Sequence, residues 1–287
     1  MNEVKGEGCK QLIPDEDKIP LRDIERNIIK RYRKYLWSPF VKAISNYKLI
    51  EEGDKVAVAI SGGKDSLLLA KLFQELKNHG NIDFDLEFLA MDPGYHEDIK
   101  KLLIENCEYL DIPVKIFESK IFEIADEKAS EYPCYLCARM RRGALYRKSK
   151  ELGCNKLALG HHFNDVIETT MLNVLYSGNF KTMLPKLKSQ NYEEIELIRP
   201  MYYIREEDIE RFTETSGIWP LNCACMVAAK KIGNKRYEIK DLISNLKETF
   251  VDVDKSIFKA AENVNIDRIL GYKKDDKKYS FLDFYDE

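Results

Sequence analysis

VAVAISGGKDSLLLAKLFQEL, residues 56–76, decides the fold. Its first five residues are an apolar run with no polar face, as in a strand buried on both sides of a parallel sheet. From Leu67 to Leu76 the apolar residues take helical spacing. Between strand and helix lies SGGKDS, residues 61–66. Two glycines let the backbone turn tightly and aim N–H groups at an anion, and the helix behind them adds the positive end of its dipole. Ser61 and Ser66 contribute hydroxyls and Lys64 a charge. A Walker A loop is excluded, because G-x-x-x-x-G-K-[ST] requires glycine where Val58 stands and Ser or Thr where Asp65 stands. The Rossmann glycine fingerprint is absent here too. A glycine turn without a ligand is the bland alternative, and the strand–loop–helix setting weighs against it.

Working outward, strand and helix patterns alternate. Residues 84–91 (FDLEFLAM), 113–118 (PVKIFE), 156–160 (KLALG) and 194–200 (EIELIRP) read as strands. A helix is expected near residues 99–110, another after residue 160 carrying Phe163, Val166, Ile167, Thr170, Met171 and Val174, and a third in REEDIERFTETSG, stopped by Gly217. The alternation predicts a doubly wound α/β architecture with a mainly five-stranded parallel sheet, whose ligands bind beyond the carboxyl ends of the strands. Upstream, Leu21, Ile24, Ile28, Ile29, Tyr32 and Leu36 predict one amphipathic helix, with a second short helix over residues 40–47. Downstream, helices are expected near residues 237–250 and 255–264, followed by a loosely packed tail, KKDDKKYSFLDFYDE. The expected division is an N-terminal leader with helices (1–50), a nucleotide-binding domain (51–217) and a cysteine-containing helical extension (218–287).

The chain of 287 residues is 44% hydrophobic and 33% charged with a net charge of −3, which fits a soluble globular protein and excludes a polycation. Any nucleic-acid contact must then come from local patches. No apolar run reaches the length of a membrane span and the first twenty residues lack a signal peptide's apolar core, so a cytoplasmic protein is the expectation. Seven cysteines in such a chain argue for metal or redox chemistry rather than a disulfide framework.

PCYLCARMRRG spaces Cys134 and Cys137 as C-x-x-C ahead of Arg139, Arg141 and Arg142, and WPLNCAC brings Cys223 and Cys225 much later. Cys9, Cys107 and Cys154 stand alone, the last two as core or surface thiols. The spacing leaves three readings open. An iron–sulfur cluster takes three thiolates and keeps one iron open, a zinc site closes on four, and a redox or persulfide pair needs no metal.

SGGKDS resembles the phosphate loop of the PP-loop ATP pyrophosphatases, whose sheet is of the adenine nucleotide alpha hydrolase type. Residues 49–225 are similar to the TtcA-type tRNA 2-thiocytidine synthetases. IEEGDKVAVAISGGKDS, PCYLCARMRRGALY, LGHHFNDVIETTMLNVLYSG and IRPMYYIREEDI follow one another in that family's order. The resemblance implies an ATP-dependent sulfurtransferase that adenylates the C2 oxygen of a cytidine, expected at position 32 of the anticodon loop. Sulfur then replaces that oxygen, with release of AMP and pyrophosphate. It implies ATP, Mg²⁺ and an oxygen-sensitive [4Fe–4S] cluster on Cys134, Cys137 and a third cysteine. That third ligand is assigned to Cys223 with Cys225 as alternative, since this chain reads LNCACM where the family has Pro-Cys-x-x-Cys-Gly.

On the same resemblance Ser61, Gly62, Gly63, Lys64, Asp65, Ser66, Asp92 and Gly160 bind nucleotide, and Lys64, Asp65 and Asp165 are catalytic candidates. Asp92 also fits a turn-forming Asp before Pro93, and Asp165 a helix cap. His161 and His162 stay outside the catalytic set, as histidines at a strand end are usually structural. Arg139, Arg141 and Arg142 are the expected tRNA contacts. Arg26, Lys30, Arg31, Arg33 and Lys34 are a second set, although a charged helix is more often a solvated face. The implied partners are tRNA, a sulfur donor (a cysteine desulfurase or free sulfide) and a second copy of the chain, with no membrane. The rival readings are another PP-loop adenylating enzyme, of amidation, lysidine or small-molecule sulfur-insertion type with structural zinc or a redox pair, and a non-catalytic carrier module.

Overall fold

The computed structural model describes residues 15–119, 133–189, 191–192, 194–221 and 235–285, giving the backbone alone at residue 17 and at residues 133–138. Cys9, Cys223 and Cys225 therefore lie outside the described residues. The chain divides into two compact units. The first holds the described residues of Met1–Asp165 and Leu184–Gly233, and the second those of Val166–Met183 and Asn234–Glu287.

The first unit is the doubly wound sheet. Its strands are β1 (Lys55–Ile60), β2 (Asp85–Asp92), β3 (Val114–Glu118), β4 (Lys156–Ala158), β5 (Lys186–Lys188) and β6 (Glu196–Ile198), in the spatial order β3-β2-β1-β4-β6-β5. Five strands run parallel, and the sixth, β5, pairs antiparallel with β6 at the edge. The five-stranded expectation missed this edge strand, because three residues with only Leu187 apolar carry no alternation to read. Four of the six residues of β1 are buried, as an apolar run sandwiched by helices requires. The helix after it, α3 (Lys64–His79), is buried continuously from Ser66 to Phe73, and Phe73 packs edge-on against Phe84 and Phe40.

The remaining helices of this unit are α1 (Leu21–Ile29), α2 (Ser38–Tyr47), α4 (Glu97–Tyr109), α5 (Pro133–Glu151) and α7 (Glu206–Thr215). The single helix expected over residues 21–36 is interrupted: α1 stops at Ile29 and a π-helical segment, Arg33–Trp37, leads into α2. The reason lies in the spacing of the core residues. Ile24, Ile28, Tyr32, Leu36, Phe40 and Ile44 are all buried and recur every four residues. On an α-helix of 3.6 residues per turn such a stripe drifts by about 40° per step, and a π turn takes up the excess. Beneath it, the wholly buried Lys71 donates to Glu25 at 2.8 Å and to the carbonyl of Leu110 at 3.1 Å, tying α1 to α3.

The second unit contains most of α6 (Phe163–Ser177) together with α8 (Lys235–Thr249), α9 (Val253–Ala260) and a hairpin of β7 (Gly271–Lys274) and β8 (Lys277–Ser280). Arg236 Nε binds Glu168 at 2.8 Å, and the Tyr176 hydroxyl donates to Glu238 at 2.5 Å. The tail expected to pack loosely takes the form of this hairpin, most of whose residues are exposed. Asp275 and Asp276 both take positive φ, 49° and 62°, forming the two-residue turn that suits strand twist, and Tyr272 stacks on Tyr279 at 4.9 Å. Among the described residues no helix is long and apolar enough to cross a membrane.

Candidate active site

In the order β3-β2-β1-β4-β6, the chain leaves β1 toward one side of the sheet and β4 opens the other. The crevice between the carboxyl ends of β1 and β4 is therefore the switch point at which such sheets bind ligands. The two segments singled out in the sequence, residues 61–66 and 160–165, are the ones that flank it.

The loop after β1 is held open by its own groups. Gly62 has a φ of +81°, and a side chain there would collide with the Leu221 side chain. Leu221 also donates its N–H to the Gly62 carbonyl at 2.9 Å. Ser66 Oγ donates to the Gly63 carbonyl at 2.9 Å and accepts from the Ser61 N–H at 3.1 Å and from Ser61 Oγ at 3.2 Å. Gly63 precedes α3 in an extended conformation and no side chain caps the first turn; the Ser66 N–H turns back to the Gly63 carbonyl at 3.1 Å, so the N–H groups of Lys64 and Asp65 are the ones that could serve an anion.

Lys64 and Asp65 open α3. Lys64 Nζ lies 3.1 Å from Glu206 and 3.5 Å from Asp65. Burial alone would lower its pKa, but the Asp65 and Glu206 carboxylates hold it above its ordinary value. Burial raises the Asp65 carboxyl, against the pull of His162 and Lys64 and with the help of Asp165 and Glu206. Asp65 Oδ1 is buried and accepts no hydrogen bond among the described residues. It lies 3.8 Å from His162 Nε2, which in turn is 3.5 Å from Asp165 Oδ2. His162 thus stands between the two carboxylates and joins the β1 loop to the β4 loop. Asp165 Oδ2 also accepts the His162 backbone N–H at 2.9 Å, a helix-capping contact that fixes its carboxylate. At Gly160 an added Cβ would sit 3.2 Å from the backbone of Asp65, so only glycine lets the β4 loop come this close to the first turn of α3.

Sequence reasoning missed three neighbours of this crevice. His162 was set aside, although its buried ring bridges both carboxylates. Glu206 opens α7, where its N–H is held by Asn164 at 3.1 Å, and it reaches Lys64 from 142 residues away. Arg199, directly after β6, is buried with its Nε unpartnered among the described residues. Burial, and after it the charge of Arg142, bring its pKa down to about 10. Only the position of acids before an apolar run signalled Glu206, and nothing in the sequence singled out Arg199.

Asp92 ends β2, and its Oδ1 accepts the N–H groups of Gly94 at 2.9 Å and Tyr95 at 2.8 Å, while Lys100 lies 3.2 Å from Oδ2. Burial opposes the charge, but these donors keep its pKa below the ordinary value. This carboxylate is used to build the turn beside the crevice. Cys134 and Cys137 lie in the first turns of α5, three residues apart and hence on neighbouring positions of one helix face. Tyr146 of α5 packs on Ala57, Leu89 and Leu157, and the chain returns at Asn155, whose N–H donates to the Lys55 carbonyl at the start of β1. The last turn of this helix therefore lies toward the amino edge of the sheet, and the helix is about 28 Å long. Arg139 and Arg142 are exposed and Arg141 is half-buried. Among the described residues no group of three or more His, Cys, Asp or Glu side chains gathers to hold a metal.

A family model described as a PP-loop domain (ATP_bind_3) matches residues 25–219. The chain is 36% identical over 259 residues to a tRNA-cytidine(32) 2-sulfurtransferase of Aeromonas hydrophila, covering 88% of this chain and 84% of that one. It is 38% identical over 232 residues to a protein of the same name from Syntrophotalea carbinolica, covering 80% and 88%. Among solved structures it resembles the U34-tRNA thiolase NcsA from Methanococcus maripaludis with its [4Fe-4S] cluster. The TM-score is 0.63 and the identity 25%, over 83% of this chain and 80% of that one.

Proposed function

Since the chain belongs to the PP-loop family of tRNA-cytidine(32) 2-sulfurtransferases, we propose that it replaces the C2 oxygen of a tRNA cytidine, at position 32, with sulfur. The observation that carries the reading is the meeting of the phosphate loop and the β4 loop through Asp65, His162 and Asp165. An anion fits the loop: no side chain caps the first turn of α3, and Lys64 is held charged beside it.

In this reading ATP lies over residues 61–66 with its triphosphate on the N–H groups of Gly62 and Gly63, the hydroxyls of Ser61 and Ser66, and Lys64. The cytidine C2 oxygen attacks the α-phosphorus, the bond to the β-phosphate oxygen breaks, and pyrophosphate leaves into the loop. Positioning and charge neutralisation carry most of such a transfer. Lys64 offsets charge on the leaving group, and Gly160 keeps the β4 loop against it. The orphaned Asp65 Oδ1 and the oriented Asp165 are the carboxylates suited to Mg²⁺, which would neutralise phosphate charge. Sulfur then bonds to C2 and the oxygen departs with AMP, and Asp165, as the alternative to holding Mg²⁺, takes the proton given up by the attacking sulfur. His162, between the two acids, holds them in register.

A [4Fe–4S] cluster on Cys134, Cys137 and Cys223, with Cys225 as the alternative, would supply the sulfur at an iron left without a protein ligand. Three thiolates suit such a cluster in chemistry, and Leu221, two residues before Cys223, is anchored on the phosphate loop. Asp92 acts through the turn it builds, and Arg139, Arg141 and Arg142 contact tRNA phosphates. A homodimer and a sulfur donor, a cysteine desulfurase or free sulfide, complete the reading.

The test is mass spectrometry of tRNA nucleosides from cells with and without the gene. Loss of 2-thiocytidine alone is the expected result, and an unchanged thionucleoside profile would sink the proposal. Anaerobic purification adds a second readout: a brown protein agrees with the cluster, whereas a colourless one containing zinc assigns the cysteines to a structural metal.

A further inference from the structure

Residues 26–49 contain seven cations (Arg26, Lys30, Arg31, Arg33, Lys34, Lys42 and Lys48) and no carboxylate, in a chain whose net charge is −3. All seven side chains are exposed. Among the described residues none of Lys30, Arg31, Arg33, Lys34 or Lys42 forms an ion pair. Elsewhere in this protein, surface lysines on helices do find acids: Lys148 pairs with Glu151, Lys235 with Glu238 and Lys255 with Asp252, each three residues apart. A solvated face here would be expected to look like those. A segment with seven exposed cations and no carboxylate of its own is instead arranged to receive negative charge from outside.

At its centre lies a groove of about 350 Å³ lined by Lys34, Ser38, Pro39, Lys42 and Tyr203. Tyr203 is a rigid aromatic platform. Its ring stacks on Tyr47 at 5.6 Å and meets Tyr202 edge-on at 6.0 Å. Its hydroxyl donates to the Tyr47 hydroxyl at 2.7 Å and accepts from the Asn46 amide at 3.3 Å. The Lys42 ammonium lies 5.1 Å from the ring centroid on a flexible stem. Cations that track a phosphate backbone around a fixed aromatic ring are the features by which proteins hold single-stranded nucleic acid.

The groove is also tied to the crevice through the chain. Tyr203 belongs to the turn after β6, where the carbonyl of the next residue, Ile204, accepts the N–H of Phe163 at 2.9 Å, adjacent to His162. Two residues further on, Glu206 binds Lys64. We propose that this groove is a docking surface for single-stranded RNA, in which Lys34 and Lys42 bind consecutive phosphates and Tyr203 stacks a base of the loop whose cytidine enters the crevice. The inference rests on the tRNA thiolation reading and assigns where that substrate is gripped.

The test uses the full chain and an unmodified tRNA transcript with cytidine at position 32, binding being measured across a range of NaCl concentrations. The double variant Lys34→Ala/Lys42→Ala is expected to bind about tenfold or more weakly at 0.1 M salt, a concentration of roughly physiological order. The slope of log K against log [salt] should fall by about 1.4, two single-strand phosphate contacts' worth. Tyr203→Leu should weaken binding about tenfold and Tyr203→Phe should restore it, since the ring and not the hydroxyl stacks. ATP affinity should stay unchanged in all of these variants, and the melting temperature in the double lysine variant, whereas Tyr203→Leu also removes the ring and hydroxyl contacts to Tyr47 and Asn46 and should melt somewhat lower. Wild-type affinity and slope in the double variant would overturn the groove and leave tRNA thiolation standing. A wild-type protein that binds no tRNA would overturn both. Loss of binding to anionic phospholipid vesicles with tRNA binding intact would reassign the surface to a membrane.

Discussion

Two adjacent side chains, Lys64 and Asp65, have opposite tasks. Lys64 is held charged by Asp65 and Glu206. Lys64→Ala is expected to cut pyrophosphate release by about 10²–10³-fold, the usual loss when one donor to developing charge is removed. Protein colour should be unchanged, and a phosphate-release assay beside an absorption spectrum checks both. Asp65 is the reverse case, a carboxyl pushed up by burial, so the folded state holds a proton more tightly than the unfolded chain. Its favourable contribution is complete below the unfolded pKa and is lost as pH rises through the folded value, leaving a penalty at neutral pH. Asp65→Asn should therefore melt higher than wild type at pH 7 and lose that advantage below about pH 4, while adenylation is abolished. An equal or lower melting temperature at pH 7 would show that Lys64 and His162 outweigh the burial cost. SGGKDS could be read because its chemistry is contiguous. His162 and Glu206 could not, because their roles exist only once distant loops meet.

At the scale of elements, glycines set how closely the two loops approach. Gly62→Ala places a side chain at positive φ and against Leu221. The backbone alone costs about 1–2 kcal/mol, and displacing Leu221 should also raise the KM for ATP. Gly160→Ala meets backbone atoms of Asp65 and Ser66 at 3.2–3.3 Å, which cannot yield as a side-chain tip would. It should cost about 1–3 kcal/mol and shift the pH dependence of activity by moving Asp65 away from His162. Urea denaturation and initial-rate kinetics report the two effects separately. In the second unit, Asp276→Gly relieves a non-glycine residue at φ 62° and should stabilise the hairpin by about 1 kcal/mol. The parallel strands were legible as apolar runs between turns. The break after α1 was less so, since a four-residue apolar repeat reads as a helix until its accumulated drift is counted. The hairpin escaped because its strands, GYKK and KKYS, are too polar to show alternation.

Across the whole molecule the seven cysteines must sort into ligands and bystanders, and burial gives a physical criterion. A ligand must be available as thiolate. Burial pushes the Cys107 thiol up to about 12 and the Cys154 thiol up to about 11, so both are protonated at neutral pH. Both sit in the apolar interior, Cys154 beside Leu157, Leu197 and Tyr146. The sequence groups Cys134 with Cys137 and Cys223 with Cys225, but a linear chain carries no information on whether two groups some ninety positions apart converge. In the proposed reading they converge, and of the described residues Leu221, bonded to Gly62, lies nearest in the chain to the second group. Single substitutions to alanine, each purified without oxygen, should bleach the protein at Cys134, Cys137 and Cys223. Colour should persist at Cys225, Cys107 and Cys154, and the last two thiols should resist alkylation until the chain is unfolded. Bleaching at Cys225 with colour kept at Cys223 would move the third ligand by two residues and leave the mechanism intact. Colour retained without Cys134 would break it, because the proposed delivery of sulfur at the nucleotide crevice requires that thiol as a cluster ligand.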